Sequence, residues 1–467
     1  MNLVNNTDIT GLSRITAAAQ KALDGATAPD TARLDDILAR ACPASGMPVP
    51  VGLDEAAALL RVEDPEHLAL IHEAAGRVKE AVFGPRIVLF APLYLSNYCS
   101  NDCLYCGFRS SNKSARRKAL SADEAVAQAR ILSATGFKRL LVVAGEHPTR
   151  SGVDYLVKVA EAIYSQTDIR ILHVNCAPLS VDEFKRLKAA GYGVYQCFQE
   201  TYHPETYAVM HPSARKKDYA YRLGAMGRAL EAGFGDVGIG ALLGLYDYRF
   251  EALSTIAHSR HLEAGFGAAA HTVSVPRLRH AEGAALDSAP SPVDDTEFKK
   301  IVSVYRLALP YTGVVVSTRE PAALRDEVIT IGASQVSAGS STEPGGYGAK
   351  ERSATQFDVD DVRELSEMVG TIARQGLLPS LCTSCYRSGR QGEEYLDTTS
   401  SGGMRDLCTA NALLSLKEYA IDSAAEEERP LLEDTVRRFA DAVEGADGAN
   451  LSARLKEVEA GKRDVRY

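Results

Sequence analysis

An α/β barrel of eight strand-helix repeats is the fold that this sequence predicts, on three observations. Short apolar runs recur at 87–94, 139–143, 171–174, 193–198, 237–242, 267–275, 313–317 and 329–336, eight in all. Amphipathic stretches with a helical period separate them, among them 122–135, 152–164, 180–190, 218–232 and 248–264. Regular alternation of the two implies right-handed βαβ crossovers and a parallel sheet, and eight repeats suggest closure as a TIM-type (β/α)8 barrel. A doubly wound open sheet is the competing architecture. Its dinucleotide-binding version needs a Gly-x-Gly-x-x-Gly in the turn directly after the first strand, and the residues following Tyr94 do not supply it.

The flanking regions read as helical. Residues 1–82 form an N-terminal helical extension, with helical patterns at 34–41 and 54–60 and a break at Pro48 and Pro50. The barrel is expected over 83–345. The Thr-Glu-Pro-Gly-Gly-Tyr-Gly stretch at 342–348 then reads as a loop leaving it, and 346–467 as a mainly helical C-terminal domain that ends with a packing helix near 431–443.

Composition narrows the partners. The 467 residues are 45% hydrophobic, enough for a large core, and carry 61 acidic against 52 basic side chains, a formal charge of −9. That balance argues against nucleic acid, whose phosphates are bound by basic surfaces. The first residues, Met-Asn-Leu-Val-Asn-Asn-Thr, lack the basic and apolar regions of a signal peptide. The strongest apolar run is about half the length that crosses a bilayer, so no membrane association is expected. Of nine cysteines, six stand in two triads. They read as metal ligands in a reducing, cytoplasmic compartment rather than as a disulfide frame.

The first triad is Cys99, Cys103 and Cys106, spaced Cys-x3-Cys-x2-Cys directly after the first apolar run. Three thiolates in a loop of this size can hold three irons of a 4Fe-4S cluster and leave the fourth open to a substrate or cofactor. A structural zinc site is the alternative, but it closes with four protein ligands and no further Cys or His lies near. Three buried, unligated thiols are another, against which stand the polar Ser100, Asn101 and Asp102.

This spacing, followed by Gly107, resembles the radical S-adenosylmethionine superfamily. The resemblance implies a barrel whose open iron chelates S-adenosylmethionine and whose reduction releases a 5′-deoxyadenosyl radical. It also implies roles for residues at expected strand ends. Ala144-Gly145-Glu146 is similar to the family's Gly-Gly-Glu motif, with Ala in the first place, and its acidic end meets the methionine amine. Glu200 resembles the carboxylate that hydrogen-bonds the ribose, and Arg222 the arginine that pairs with the methionine carboxylate. Tyr105, between two ligands, would shield the cluster or touch the adenine. By residue type alone the three charged groups serve equally as solvated surface charges, and Tyr105 as packing.

The second triad, Cys382, Cys385 and Cys408, is spaced Cys-x2-Cys-x22-Cys. No His follows His280 and no fourth Cys lies in the C-terminal region, so a closed zinc site there would need an outside donor. A second iron-sulfur cluster fits better. Radical S-adenosylmethionine barrels with such a triad resemble the tyrosine lyases that mature iron-iron hydrogenases. The segments Phe-Gln-Glu-Thr-Tyr-His from Phe198 and His-Thr-Val-Ser-Val-Pro from His271 share in this likeness. It implies that L-tyrosine is cleaved at Cα–Cβ to p-cresol and dehydroglycine. The latter is then converted to carbon monoxide and cyanide at a 4Fe-4S cluster carrying an extra labile iron, ligated by His271. A lone His on an apolar strand can equally be a satisfied core residue.

The implied partners are a reductant protein and hydrogenase maturation proteins. For the tyrosine carboxylate Arg319 is the candidate, with Arg277 second. Ser337 and Ser340 would line the cavity or cap a helix. Cys42, Cys176 and Cys197 read as packing, and Tyr202, His203, Tyr207 and His211 as a cavity wall or surface packing. Two rivals remain: a 2-iminoacetate synthase of thiamine biosynthesis, similar in the barrel but without the C-terminal triad, and a noncatalytic iron-sulfur scaffold or electron carrier.

Overall fold

A computed structural model describes residues 9–349, 354–443 and 445–467, so the segment read as lacking a signal peptide, 1–7, lies outside the described residues. Eight parallel strands close on themselves: β1 Arg86–Ser96, β2 Arg139–Ala144, β3 Ile171–Asn175, β4 Tyr192–Gln196, β5 Asp236–Gly240, β6 Thr272–Ser274, β7 Gly313–Val316 and β8 Gln335–Ser337. Closure runs through β1, which pairs with β2 from Ala91 onward and with β8 at Val88–Phe90. All eleven residues of β1 are buried, as expected of a strand covered on both faces. Helices between the strands form the outer ring.

The chain before the barrel forms four helices, Ile9–Asp24, Thr31–Ala41, Leu53–Leu60 and Pro65–Phe83. Asp30 and Asp64 cap the second and fourth by accepting the amides of Arg33 and His67, and Pro65 opens the last with its φ already set. The first, third and fourth pack on the barrel helices Tyr248–Phe266 and Asp295–Ala308, and the second packs on the fourth.

Two of the apolar runs reach back to the end of the preceding helix. The run at 329–336 joins the end of the helix Ala322–Ile331 to β8 across Gly332, because a continuous apolar stretch does not mark where helix stops and strand begins. At 267–275, Gly267 is the left-handed cap of the preceding helix and only Thr272–Ser274 is strand. The stretch 218–232 is two helices, Tyr219–Leu223 and Ala225–Glu231, hinged at Gly224.

A ninth strand, β9 Leu378–Ser380, escapes the sequence pattern because it is three residues long and contains Pro379. It pairs with Arg86–Val88, the amino end of β1. Two residues later comes Cys382. The C-terminal helices that follow are thereby tied to the floor of the barrel, opposite the end where β1 delivers Cys99.

Candidate active site at the two ends of the barrel

The loop after β1 is held by its own polar side chains. Arg117 donates to the carbonyls of Asn97 and Phe108 at 2.7 and 2.8 Å, and the Asn97 side chain bonds Arg116 O and Lys118 N. Asp102 takes Arg109 and Ser111, which hold its carboxyl well below the usual range, Arg109 first. Ser100 donates its hydroxyl to the carbonyl of Glu146 at 2.8 Å and Asn101 accepts the amide of Lys216, so all three residues whose polarity argued against a core segment have structural tasks. Gly145 permits this loop to lie against β2: a Cβ there would stand 2.4 Å from the carbonyl oxygen of Tyr98. We expect Gly145→Ala to cost about 1–3 kcal/mol through this clash. A lowered thermal midpoint, together with reduced iron retention after reconstitution, would show it; an unchanged midpoint would refute it.

Cys99, Cys103 and Cys106 line the upper cavity, which encloses about 1390 Å³ with its mouth included. Burial pushes the Cys99 and Cys106 thiols up to about 12. Deprotonating them therefore calls for a compensating positive charge, which bound iron supplies. Among the described residues no three His, Cys, Asp or Glu side chains converge tightly enough to hold a single metal ion. A four-iron cluster makes no such demand, because each thiolate binds a different iron.

Beside the thiols lies a buried charge network. Glu146 accepts Arg222 Nη1 at 2.8 Å and Asn101 Nδ2 at 2.7 Å. Glu200 pairs with Lys216 Nζ at 2.7 Å and with Arg222 Nη2 at 3.5 Å. Arg222 also donates its Nε to the carbonyl of Phe198 at the end of β4, which fixes the fork. Burial raises both carboxyls, but the charges of Arg222 and Lys216 more than offset it and hold them below their ordinary value. Glu146, Glu200 and Arg222 are therefore gathered at one place. Tyr105 joins them, bonding His211 Nε2 at 2.8 Å with Lys216 Nζ over its ring.

Lys216 and Asn101 were not singled out from the sequence. Arg215-Lys216-Lys217 reads as a solvated charge run, and it is the bonds from Lys216 N to Asn101 Oδ1, from the Tyr207 hydroxyl to the Lys216 carbonyl and from Nζ to Glu200 that turn the middle lysine inward. Arg319 lines the same cavity, stacked on Phe357 at 3.3 Å and without a carboxylate at ion-pair distance among the described residues. Arg277, the second candidate, is engaged by Glu320 and Asp295 and does not line the cavity. Ser337, Ser340 and Cys176 line it, whereas His203 stacks on Tyr246 at 3.8 Å away from it.

A smaller cavity, about 410 Å³ with its opening to solvent included, lies at the floor, where Cys382, Cys385, Cys408 and His271 meet. Cys382 follows β9, Cys385 sits on the short helix Ser384–Arg387, and Cys408 on Gly403–Asp422. His271 Nε2 meets the hydroxyl of Tyr386 at 2.9 Å, and its Nδ1 lies 3.3 Å from Asp236. Arg86 and Arg139 flank the thiols. Both guanidiniums are buried, and neither has a carboxylate partner among the described residues. Two such cations facing three thiols fit a donor set that is anionic when filled. At about 3.3 Å per residue, the eleven residues of β1 separate floor from mouth by on the order of 30 Å.

The chain matches two family models, the radical SAM superfamily over residues 93–257 and the biotin and thiamin synthesis associated domain over 274–378. It is 34% identical over 327 residues to 2-iminoacetate synthase of Escherichia coli, 70% of this chain and 85% of that one. Among solved structures it is similar to HydG, a maturase of the [FeFe]-hydrogenase, at 41% identity and a TM-score of 0.90, covering 99% of this chain and 100% of that one. It is likewise similar to HydG from Carboxydothermus hydrogenoformans at 38% identity and a TM-score of 0.81, covering 97% and 98%.

Proposed function

Because this chain belongs to the radical S-adenosylmethionine family that includes 2-iminoacetate synthase and HydG, we propose that it cleaves the Cα–Cβ bond of L-tyrosine to p-cresol and dehydroglycine. The reading extends to conversion of the dehydroglycine to carbon monoxide and cyanide, delivered as an iron-carbonyl-cyanide precursor to the iron-iron hydrogenase. When bound, a 4Fe-4S cluster at Cys99, Cys103 and Cys106 and S-adenosylmethionine supply, on one-electron reduction, a 5′-deoxyadenosyl radical.

The protein's own part is binding, orientation and exclusion of water. Glu146 accepts the methionine amine and Arg222 pairs with the methionine carboxylate. Glu200 takes the ribose hydroxyls and Tyr105 flanks the adenine. Arg222 and Lys216 keep both carboxylates ionised, so the acceptors are ready before the ligand arrives. Arg319, a cation on the cavity wall, takes the tyrosine carboxylate, and Tyr94 and Phe108 close the apolar side. At the floor, Cys382, Cys385 and Cys408 hold a second 4Fe-4S cluster and His271 an extra labile iron. The ring is held by the Tyr386 hydroxyl at Nε2, with Asp236 3.3 Å from Nδ1.

The observation that carries this reading is the meeting of the second triad with His271 at the far end of a barrel whose mouth holds the first triad. A reductant protein and hydrogenase maturation proteins are the proposed partners. No helix among the described residues is long and apolar enough to cross a membrane. The likeness to the Escherichia coli protein favours a second reading, a 2-iminoacetate synthase that stops at the imine.

The two readings separate in one assay. Anaerobically reconstituted protein given S-adenosylmethionine, L-tyrosine and dithionite is expected to release 5′-deoxyadenosine and p-cresol and to develop infrared bands of iron-bound carbonyl and cyanide. p-Cresol without those bands favours the imine-forming enzyme. Neither product, with both clusters intact, would sink both readings.

A further inference from the structure

We propose that Glu251, on the outer helix Tyr248–Phe266, is a positioning residue for S-adenosylmethionine: its buried carboxyl group clamps the turn that presents Glu200 to the cofactor. The inference rests on Glu200 contacting S-adenosylmethionine.

Glu200 is one of three described non-glycine residues with positive φ, at 71°. An L-residue bearing a full side chain adopts that conformation only where its surroundings hold it. On the upstream side β5 does so, since Gln199 N donates to Gly240 O and Leu242 N to Glu200 O. Downstream, the turn leaves the sheet and the main chain needs another partner.

Glu251 supplies it. One carboxylate oxygen accepts the hydroxyl of Thr201, and the other accepts the amide of Tyr202 at 2.8 Å. The opposite side of the turn is held by the hydroxyl of Tyr219, which donates to the carbonyl of Tyr202 at 2.7 Å. Tyr219 begins the same short helix that carries Arg222. The clamp therefore sets Glu200 and Arg222 relative to each other, and the two meet at 3.5 Å.

Structural economy does not explain an acid at this place. Glu251 is fully buried, and burial pushes its carboxyl up to about 8, against which the bonds from Thr201 and Tyr202 work. A buried acid without a charged partner is costly and persists where its geometry is used. Its two oxygens span an adjacent hydroxyl and amide, a bidentate task for which a shorter or branched side chain lacks reach. A glutamine could reproduce it, with the carbonyl accepting Tyr202 N and the amide donating to Thr201.

Equilibrium binding of S-adenosylmethionine to the cluster-reconstituted full chain tests this. Glu251→Ala is expected to weaken the affinity about tenfold at unchanged iron content, while Glu251→Gln stays within about twofold of the parent. Thr201→Val, which removes the hydroxyl's bond to Glu251 and the one it accepts from His203 N but leaves Tyr202 N served, is expected to fall between them and decides the matter if the alanine variant does not fold. Affinity unchanged in a folded Glu251→Ala chain would overturn the proposal, as would a glutamine variant as weak as the alanine one. Glu200→Ala serves as the reference: if it too leaves affinity unchanged, the cofactor contact assigned to Glu200 is at fault rather than the clamp.

Discussion

A Cys103→Ala chain, reconstituted with iron and sulfide under anaerobic conditions, is expected to lose cleavage of S-adenosylmethionine by on the order of 10³-fold or more while keeping its fold. The reason is ligand count. Three thiolates are the minimum that this loop offers, and removing the middle one leaves two. The other buried cysteines of the barrel belong to other elements: Cys197 follows β4 and does not line the cavity, and Cys176, which lines it, is fixed at the end of β3 rather than on the loop. The fold should survive, because the loop is fastened by Arg117, Asn97 and the Asp102–Arg109 pair rather than by sulfur. Chromatography of 5′-deoxyadenosine after a dithionite-driven turnover, alongside a melting curve, reads both statements. Parental yields of 5′-deoxyadenosine would remove the triad from the radical-forming site.

The second large effect is selective. Cys385→Ala is expected to spare p-cresol formation within about threefold and to abolish the infrared bands of iron-bound carbonyl. The two triads stand at opposite ends of β1 and on different elements, so removing a ligand at the floor leaves the charge network at the mouth in place. Cys385 is the ligand to choose because it sits one residue before Tyr386, whose hydroxyl holds His271. Loss of carbonyl bands together with p-cresol would mean that the sites are coupled through stability, and a melting curve would show it. Retention of both would return the C-terminal helices to a structural role.

Much of this site was legible from spacing. Cys-x3-Cys-x2-Cys is a local pattern, because its residues occupy one loop whose length alone limits where they can be. Glu146 and Glu200 were readable because barrel geometry brings strand ends to one face, so an acidic residue just past an apolar run is placed by the fold class itself. Arg222 was readable only through resemblance, since its helix is broken at Gly224 and no period marks which face turns inward.

Lys216, Asn101 and Glu251 carry no such signal. Each acquires its place from a partner distant in sequence: Asn101 lies 115 residues from Lys216, and Glu251 lies 49 from Tyr202. Composition cannot register these pairings, and a buried lysine in a basic run looks like its exposed neighbours. The reverse holds for Arg277, which as a residue type suited an anionic substrate but is engaged by Glu320 and Asp295.

By itself, the sequence determined the repeating α/β architecture and the two sets of thiols, because hydrophobic period and ligand spacing are properties of neighbouring residues. Tertiary structure decided how the two sets relate. That the second triad lies at the floor depends on β9, three residues including a proline, finding the amino end of β1. Its pairing brings Cys382 beneath His271, Arg86 and Arg139, which come from three other strands or their starts. Closure of the barrel is a long-range event with no local mark, and the distance between the two sites is set by the length of one buried strand.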